Sequence, residues 1–125
     1  RYPADWPQIR ERILRRALWR CEHPGCDALH RDLGYWLRDR FVPMPRALRA
    51  AGAKRGDTIP CFDGTSVKII MIILTIAHLD HQPENCDDDN LRALCQRHHL
   101  AHDAQHHKET AYMTRRARAA TPDLF

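Results

Sequence analysis

At 125 residues the chain has the length of one compact domain, and its 43% hydrophobic and 29% charged composition is that of a globular protein. The longest apolar run, residues 69–77, is too short to cross a bilayer as a helix, which excludes a membrane span. The net charge of +4 is unevenly spread: residues 1–20 carry +4, residues 21–56 carry +3, residues 57–107 carry −5 and residues 108–125 carry +2.

The acidic stretch also holds seven of the nine histidines, so ligand-type side chains are concentrated between basic ends. That is the pattern of a cation site flanked by phosphate-binding surface. Five cysteines make an odd set with no small-domain disulfide spacing, so Cys21, Cys26 and Cys95 read as thiols in a reducing compartment.

In chain order, Asp5 is positioned to cap a helix whose apolar residues Trp6, Ile9, Ile13 and Ala17 recur every three or four positions, running to about Arg20. Residues 21–31 hold Cys21, Pro24, Gly25 and Cys26, a turn-forming knuckle. Residues 32–66 read as an insertion: an aromatic extended stretch over 34–42, a short helix over 45–53 ended by Gly52, and turns at Gly56-Asp57 and Asp63-Gly64.

Residues 67–77 are rich in Ile, with only Lys68 charged, and predict one strand buried on both faces whose end delivers His78. The polar stretch 78–89, with Pro83 and three consecutive Asp, is a loop; 90–94 reads as a short turn or helix, and 95–98 as a second knuckle. Residues 99–119 read as helix, with a break expected over 104–108.

Two constellations carry chemistry. Cys21-x4-Cys26 and Cys95-x2-His98 are two close-spaced ligand pairs about seventy residues apart, the donor set that zinc takes in a closed tetrahedral site. Such a site would be structural, tying the amino-terminal helix to the carboxy-terminal one; Cys61 and Cys86 have no close partner and are read as unligated. The second constellation is residues 77–103, AHLDHQPENCDDDNLRALCQRHHLAHD. A His closes a strand, a loop follows, and then come Asn-Leu, two residues, Leu-Cys, two residues, a ligand and His: His78, Asn90, Leu91, Leu94, Cys95, His98 and His99.

This run resembles the motif of the HNH endonucleases, and Cys21 and Cys26 fit the first knuckle of the zinc-containing members. The resemblance implies an α+β chain with a ββα-metal core, a structural zinc site, an N-terminal helix, an insertion before the core strand and C-terminal helices. It divides a single domain, 1–125, into a helix and first knuckle (1–31), an insertion (32–66), and a core with helical tail (67–125).

It further implies a metal-dependent DNA endonuclease in which His78 is the general base, a role suited to an imidazole of pKa about 6.5. Asn90 would fix the loop and His99 would bind the catalytic cation. Asp103, one helical turn beyond His99, shares its face and adds a hard ligand that favours Mg²⁺ or Mn²⁺, with Ni²⁺ or Zn²⁺ also open.

Many family members carry an Asp or His ligand immediately before the base, where this chain has Ala77. Either Asp80 supplies the missing oxygen, or the aligned pair is Asp80-His81 with His81 as base; the longer spacing from His78 to Asn90 fits the family better. Arg115, Arg116 and Arg118, with the Arg face of the first helix, read either as phosphate contacts to DNA or as a solvated face. The implied setting is the cytoplasm of a bacterial or phage-infected cell. Two other classes stay open: a catalytically silent, zinc-stabilised DNA-binding or adaptor module of the same fold, and a His-rich metal storage or sensing protein.

Overall fold

The computed structural model describes residues 2–120 and is a mixed α+β chain with three small sheets. Its first helix, α1 (Trp6–Arg16), buries Ile9, Ile13 and Leu14, the stripe that the apolar spacing predicts. Ile13 and Leu14 are fully buried, each contributing about 1.5–3 kcal/mol, so packing holds this helix in place. Asp5 starts it through its backbone carbonyl, which accepts from the Gln8 and Ile9 amides, and its side chain makes no cap. The helix stops at Arg16 instead of continuing to about Arg20 because Leu18 and Trp19 both turn left-handed, at φ 56° and 59°. That reversal sends the chain into the first knuckle, where the Cys21 amide donates to Ala28 O.

Residues 32–66 open with the hairpin β1 (Leu33–Leu37) and β2 (Arg40–Pro43), as the aromatic extended stretch predicts. Gly34 is required there: a Cβ would sit 2.2 Å from Val42 O and 2.5 Å from the Phe41 ring. A one-turn helix, α2 (Arg46–Ala50), follows, with left-handed Gly52 just beyond it at φ 86°.

The single strand expected over 67–77 does not form. That apolar run is divided among β4 (Ser66–Lys68), β5 (Ile70–Met71) and β6 (Thr75–His78). Each pairs antiparallel with a different partner: β4 with β3 (Thr58–Pro60), β5 with β1, and β6 with β7 (Leu91–Leu94). The run is apolar throughout because Ile69, Ile72 and Leu74, at and between the strand ends, are themselves buried. The boundary drawn at 66/67 therefore falls inside β4, and the hairpin that carries His78 begins at Thr75.

Residues 90–94 are likewise not a turn or helix as a whole: a 3₁₀ turn, Asp88–Asn90, feeds β7, whose Leu91, Ala93 and Leu94 enter the core. The register pairs Thr75 with Leu94 and His78 with Leu91. The last element, α3 (Gln96–Ala120), is one continuous helix of 25 residues, so the break expected over 104–108 is absent and one helix stands where several were anticipated. Helices α1 and α3 both pack on the β6–β7 hairpin.

Candidate functional site

The two knuckles meet. The ligand atoms of Cys21, Cys26, Cys95 and His98 lie within 4.8 Å of one another, and among the described residues this is the one set of three or more metal-ligating side chains so close together. His98 Nδ1 is 3.2 Å from Cys95 Sγ and 3.6 Å from Cys21 Sγ, near the ~3.5 Å nitrogen–sulfur edge of a tetrahedron with zinc–nitrogen bonds of about 2.0 Å and zinc–sulfur bonds of about 2.3 Å. Cys95 is fully buried and Cys21 nearly so. These four residues can hold a metal ion such as zinc.

The thiols are also electrostatically prepared. The Cys21 sulfur accepts from the Cys95 thiol and from the Cys95 amide at 3.3 Å, and its pKa falls to about 4. Cys95 is shifted up as the proton-holding partner, and burial raises Cys26. These contacts favour the thiolate form of Cys21, the form that ligates a metal, and metal binding would release the remaining protons. The His23 ring lies flat on His98, centroids 3.8 Å apart, and Trp36 meets the same imidazole edge-on at 5.9 Å, which fixes the ligand ring's plane.

The knuckle is bolted to the hairpin by groups that sequence reasoning did not single out. Glu22 Oε1 accepts from the Ala93 amide at 2.8 Å, the Glu22 amide donates to Ala93 O at 2.8 Å, and both Glu22 oxygens receive the Arg16 guanidinium at 2.7 and 3.1 Å. Arg16 also donates to Leu91 O and Asp88 O. Nothing in the sequence marks this pair, because Arg16 and Glu22 look like ordinary surface charges until the chain reverses at Leu18 and Trp19.

A second place where predicted site residues meet is a depression of about 210 Å³ lined by Tyr2, Ile76, His78, His81, Pro83, His99 and Asp103. His78, last residue of β6, is buried; its ring stacks on Trp6 at 5.4 Å, and its Nε2 is 3.8 Å from Cys86 Sγ. Burial lowers its pKa, against the charges of Asp80 and Glu84, which favours the neutral imidazole. His102 meets His78 O at 3.1 Å, tying α3 to the end of the strand. Asp103 Oδ2 is 3.8 Å from His99 Nε2 and Oδ1 is 4.0 Å from His81 Nδ1, beyond hydrogen-bond length. His99 is further oriented by Thr75, whose hydroxyl contacts its Nδ1. His81 is left-handed at φ 58° and stacks on His102 and His106, with burial as the main cause of its lowered pKa.

Asp80 is elsewhere. Its Oδ1 accepts from the Gln82 amide and from Asn90 Nδ2, its Oδ2 accepts from Asn85 Nδ2, and it lines a separate depression with Asn85, Asp87, Asp89 and Asn90. It is not brought to His99 and Asp103, and Ala77, 1% exposed, packs into the core. Asn90 holds the loop: besides Asp80, its Nδ2 reaches Asn85 O at 2.8 Å and its own carbonyl accepts from the Leu79 amide. Arg115, Arg116 and Arg118 lie exposed on the far end of α3, Arg116 over the Tyr112 ring. Tyr2, Trp6 and Cys86, which border His78, were not singled out as site residues by sequence reasoning, since none has motif spacing.

No protein-family model, curated protein or solved structure matches this chain. No helix among the described residues is long and apolar enough to cross a membrane.

Proposed function

We propose that this protein is a metal-dependent DNA endonuclease of the HNH type, with a structural zinc at Cys21, Cys26, Cys95 and His98. The observation that carries the reading is the convergence on one depression of His78 from the end of β6, His81 from the loop, and His99 and Asp103 from α3. His78, whose burial favours the neutral imidazole, takes the proton from a water attacking the phosphodiester. Asn90 keeps the loop that follows His78 in place by bridging Asp80 and Asn85. His99 and Asp103 would hold a divalent cation, which when bound supplies charge stabilisation to the phosphate and the leaving oxygen. Arg115, Arg116 and Arg118 would contact flanking phosphates, in a salt-sensitive and sequence-independent way.

A second reading, the catalytically silent DNA-binding module, is favoured by one specific observation. Position 77, where many family members carry a ligand, is a core alanine here, and Asp80, the anticipated substitute, is engaged with Asn90 and Asn85 away from the depression. Supercoiled plasmid with Mg²⁺, Mn²⁺, Ni²⁺ or Zn²⁺ separates the two: the nuclease nicks it, while the silent module binds without cutting.

A further inference from the structure

Asp103 stands between two imidazoles. Its Oδ2 is 3.8 Å from His99 Nε2 and its Oδ1 is 4.0 Å from His81 Nδ1. Both separations are too long for hydrogen bonds, and all three side chains line the depression that also holds His78. Ligands about 2.1 Å from one ion stand roughly 3.0 Å apart when adjacent and roughly 4.2 Å apart when opposite, and the two distances fall inside that span. The side chains of His81, His99 and Asp103 are 20%, 27% and 45% exposed, so an ion can reach them from solvent.

Each ring is held in place by contacts that leave the nitrogen nearest Asp103 free. On His99 the Thr75 hydroxyl occupies Nδ1, and Nε2 is left to the carboxylate side. His81 is placed by its backbone: its amide donates to His78 O at 3.0 Å, and the residue is left-handed at φ 58°, an uncommon conformation away from glycine. Its ring then stacks on His102 at 4.2 Å and on His106 at 3.8 Å, with interplanar angles of 11° and 21°. Stacking uses the faces of the ring and leaves its edge nitrogens available to a ligand.

The donor types select the ion. Asp103 is the one carboxylate lining the depression, against two imidazoles, and imidazole nitrogen suits borderline first-row ions where Mg²⁺ takes oxygen. The geometry points to His81 as a ligand of the cation at His99 and Asp103, completing a two-imidazole, one-carboxylate site that takes a first-row transition-metal ion in preference to Mg²⁺. His81 lies three residues beyond His78, outside the motif positions, and as a ligand it leaves the base role to His78. This inference rests on the cation site of the nuclease reading and adds to it a ligand and a class of metal.

The test is Mn²⁺ binding to the full chain carrying its zinc, followed by electron paramagnetic resonance in the absence of DNA. Loss of the free-ion signal gives the affinity, and the nitrogen couplings of the bound ion count its imidazoles. Wild type should bind one Mn²⁺ with two coupled nitrogens and keep it against about a tenfold excess of Mg²⁺. His81→Phe, which retains a flat ring for the stack, should weaken binding about tenfold or more and leave one coupled nitrogen. One nitrogen in wild type, unchanged affinity in His81→Phe, or displacement by that excess of Mg²⁺ overturns the assignment, and cation-dependent plasmid nicking measured separately would leave the nuclease standing. Two nitrogens in a wild type that nicks no plasmid overturn the nuclease and uphold the site. Failure of wild type to bind Mn²⁺ overturns the site and the cation chemistry built on it.

Discussion

Asn90 and Asp80 grip each other across the loop of the β6–β7 hairpin: Asn90 Nδ2 donates to Asp80 Oδ1 at 2.9 Å, and the Asp80 amide donates to Asn90 Oδ1 at 3.1 Å. An amide is the side chain for this position because it donates and accepts at once. Asn90→Asp puts a second carboxylate against Asp80 and removes the donor; Asn90→Ala removes all three side-chain bonds, including the one to Asn85 O, and costs about 1–3 kcal/mol. Thermal denaturation should place both variants below wild type. On the nuclease reading, both also lose nicking out of proportion to the fraction unfolded.

The Cys3His cluster predicts one tightly held zinc per chain. Cys95→Ser should lose that zinc and the cooperative melting transition, because a structural zinc couples its binding to folding and this cluster joins the two knuckles. Elemental analysis and calorimetry check this, and wild-type zinc content in Cys95→Ser would remove the cluster from the account.

The Arg16–Glu22 pair should matter more than its exposed counterpart Arg12–Asp88. Side-chain exposures are 38% and 23% in the first pair and 55% and 54% in the second. Glu22→Ala also strips the acceptor from the Ala93 amide, so a loss of about 1–2 kcal/mol is expected, against less than about 0.5 kcal/mol for Arg12→Ala. Urea titration of the two variants measures the difference.

His30 should make stability pH-dependent. Its Nδ1 accepts from the Leu74 amide at 3.0 Å, which requires the neutral ring, and burial, with Arg31 and Arg10, lowers its pKa below 6.5. A histidine whose folded pKa is depressed binds fewer protons folded than unfolded. Its contribution is therefore complete above about pH 6.5 and declines as pH falls through the folded pKa. His30→Gln should flatten that part of the stability profile, and an NMR titration should find the His30 ring deprotonating below the ordinary value.

The pairing of knuckles was legible because zinc chemistry demands short-spaced ligand pairs, and Cys21, Cys26, Cys95 and His98 have that spacing in the sequence. The face of α1 was legible from its period, as was the position of His78 at a strand end. The division of residues 67–77 was not, since continuous Ile-rich sequence looks alike whether one strand is buried or three short strands alternate with buried turns. Strand β7 was missed because four residues, LRAL, carry helix propensity that hairpin pairing overrides. The engagement of Asp80 with Asn90 and Asn85 was equally hidden, because it depends on how a polar loop closes on itself.

On the nuclease reading, the depression hydrolyses DNA with His78 as base and His81 beside it. The most direct measurement is cation-dependent nicking of supercoiled plasmid by wild type and by the double variant His78→Ala/His81→Ala, each shown to retain its zinc. Wild type should nick only with an added divalent cation, and the double variant should not nick. Undiminished nicking in that variant, or no nicking by zinc-loaded wild type under any of the four cations, would contradict it.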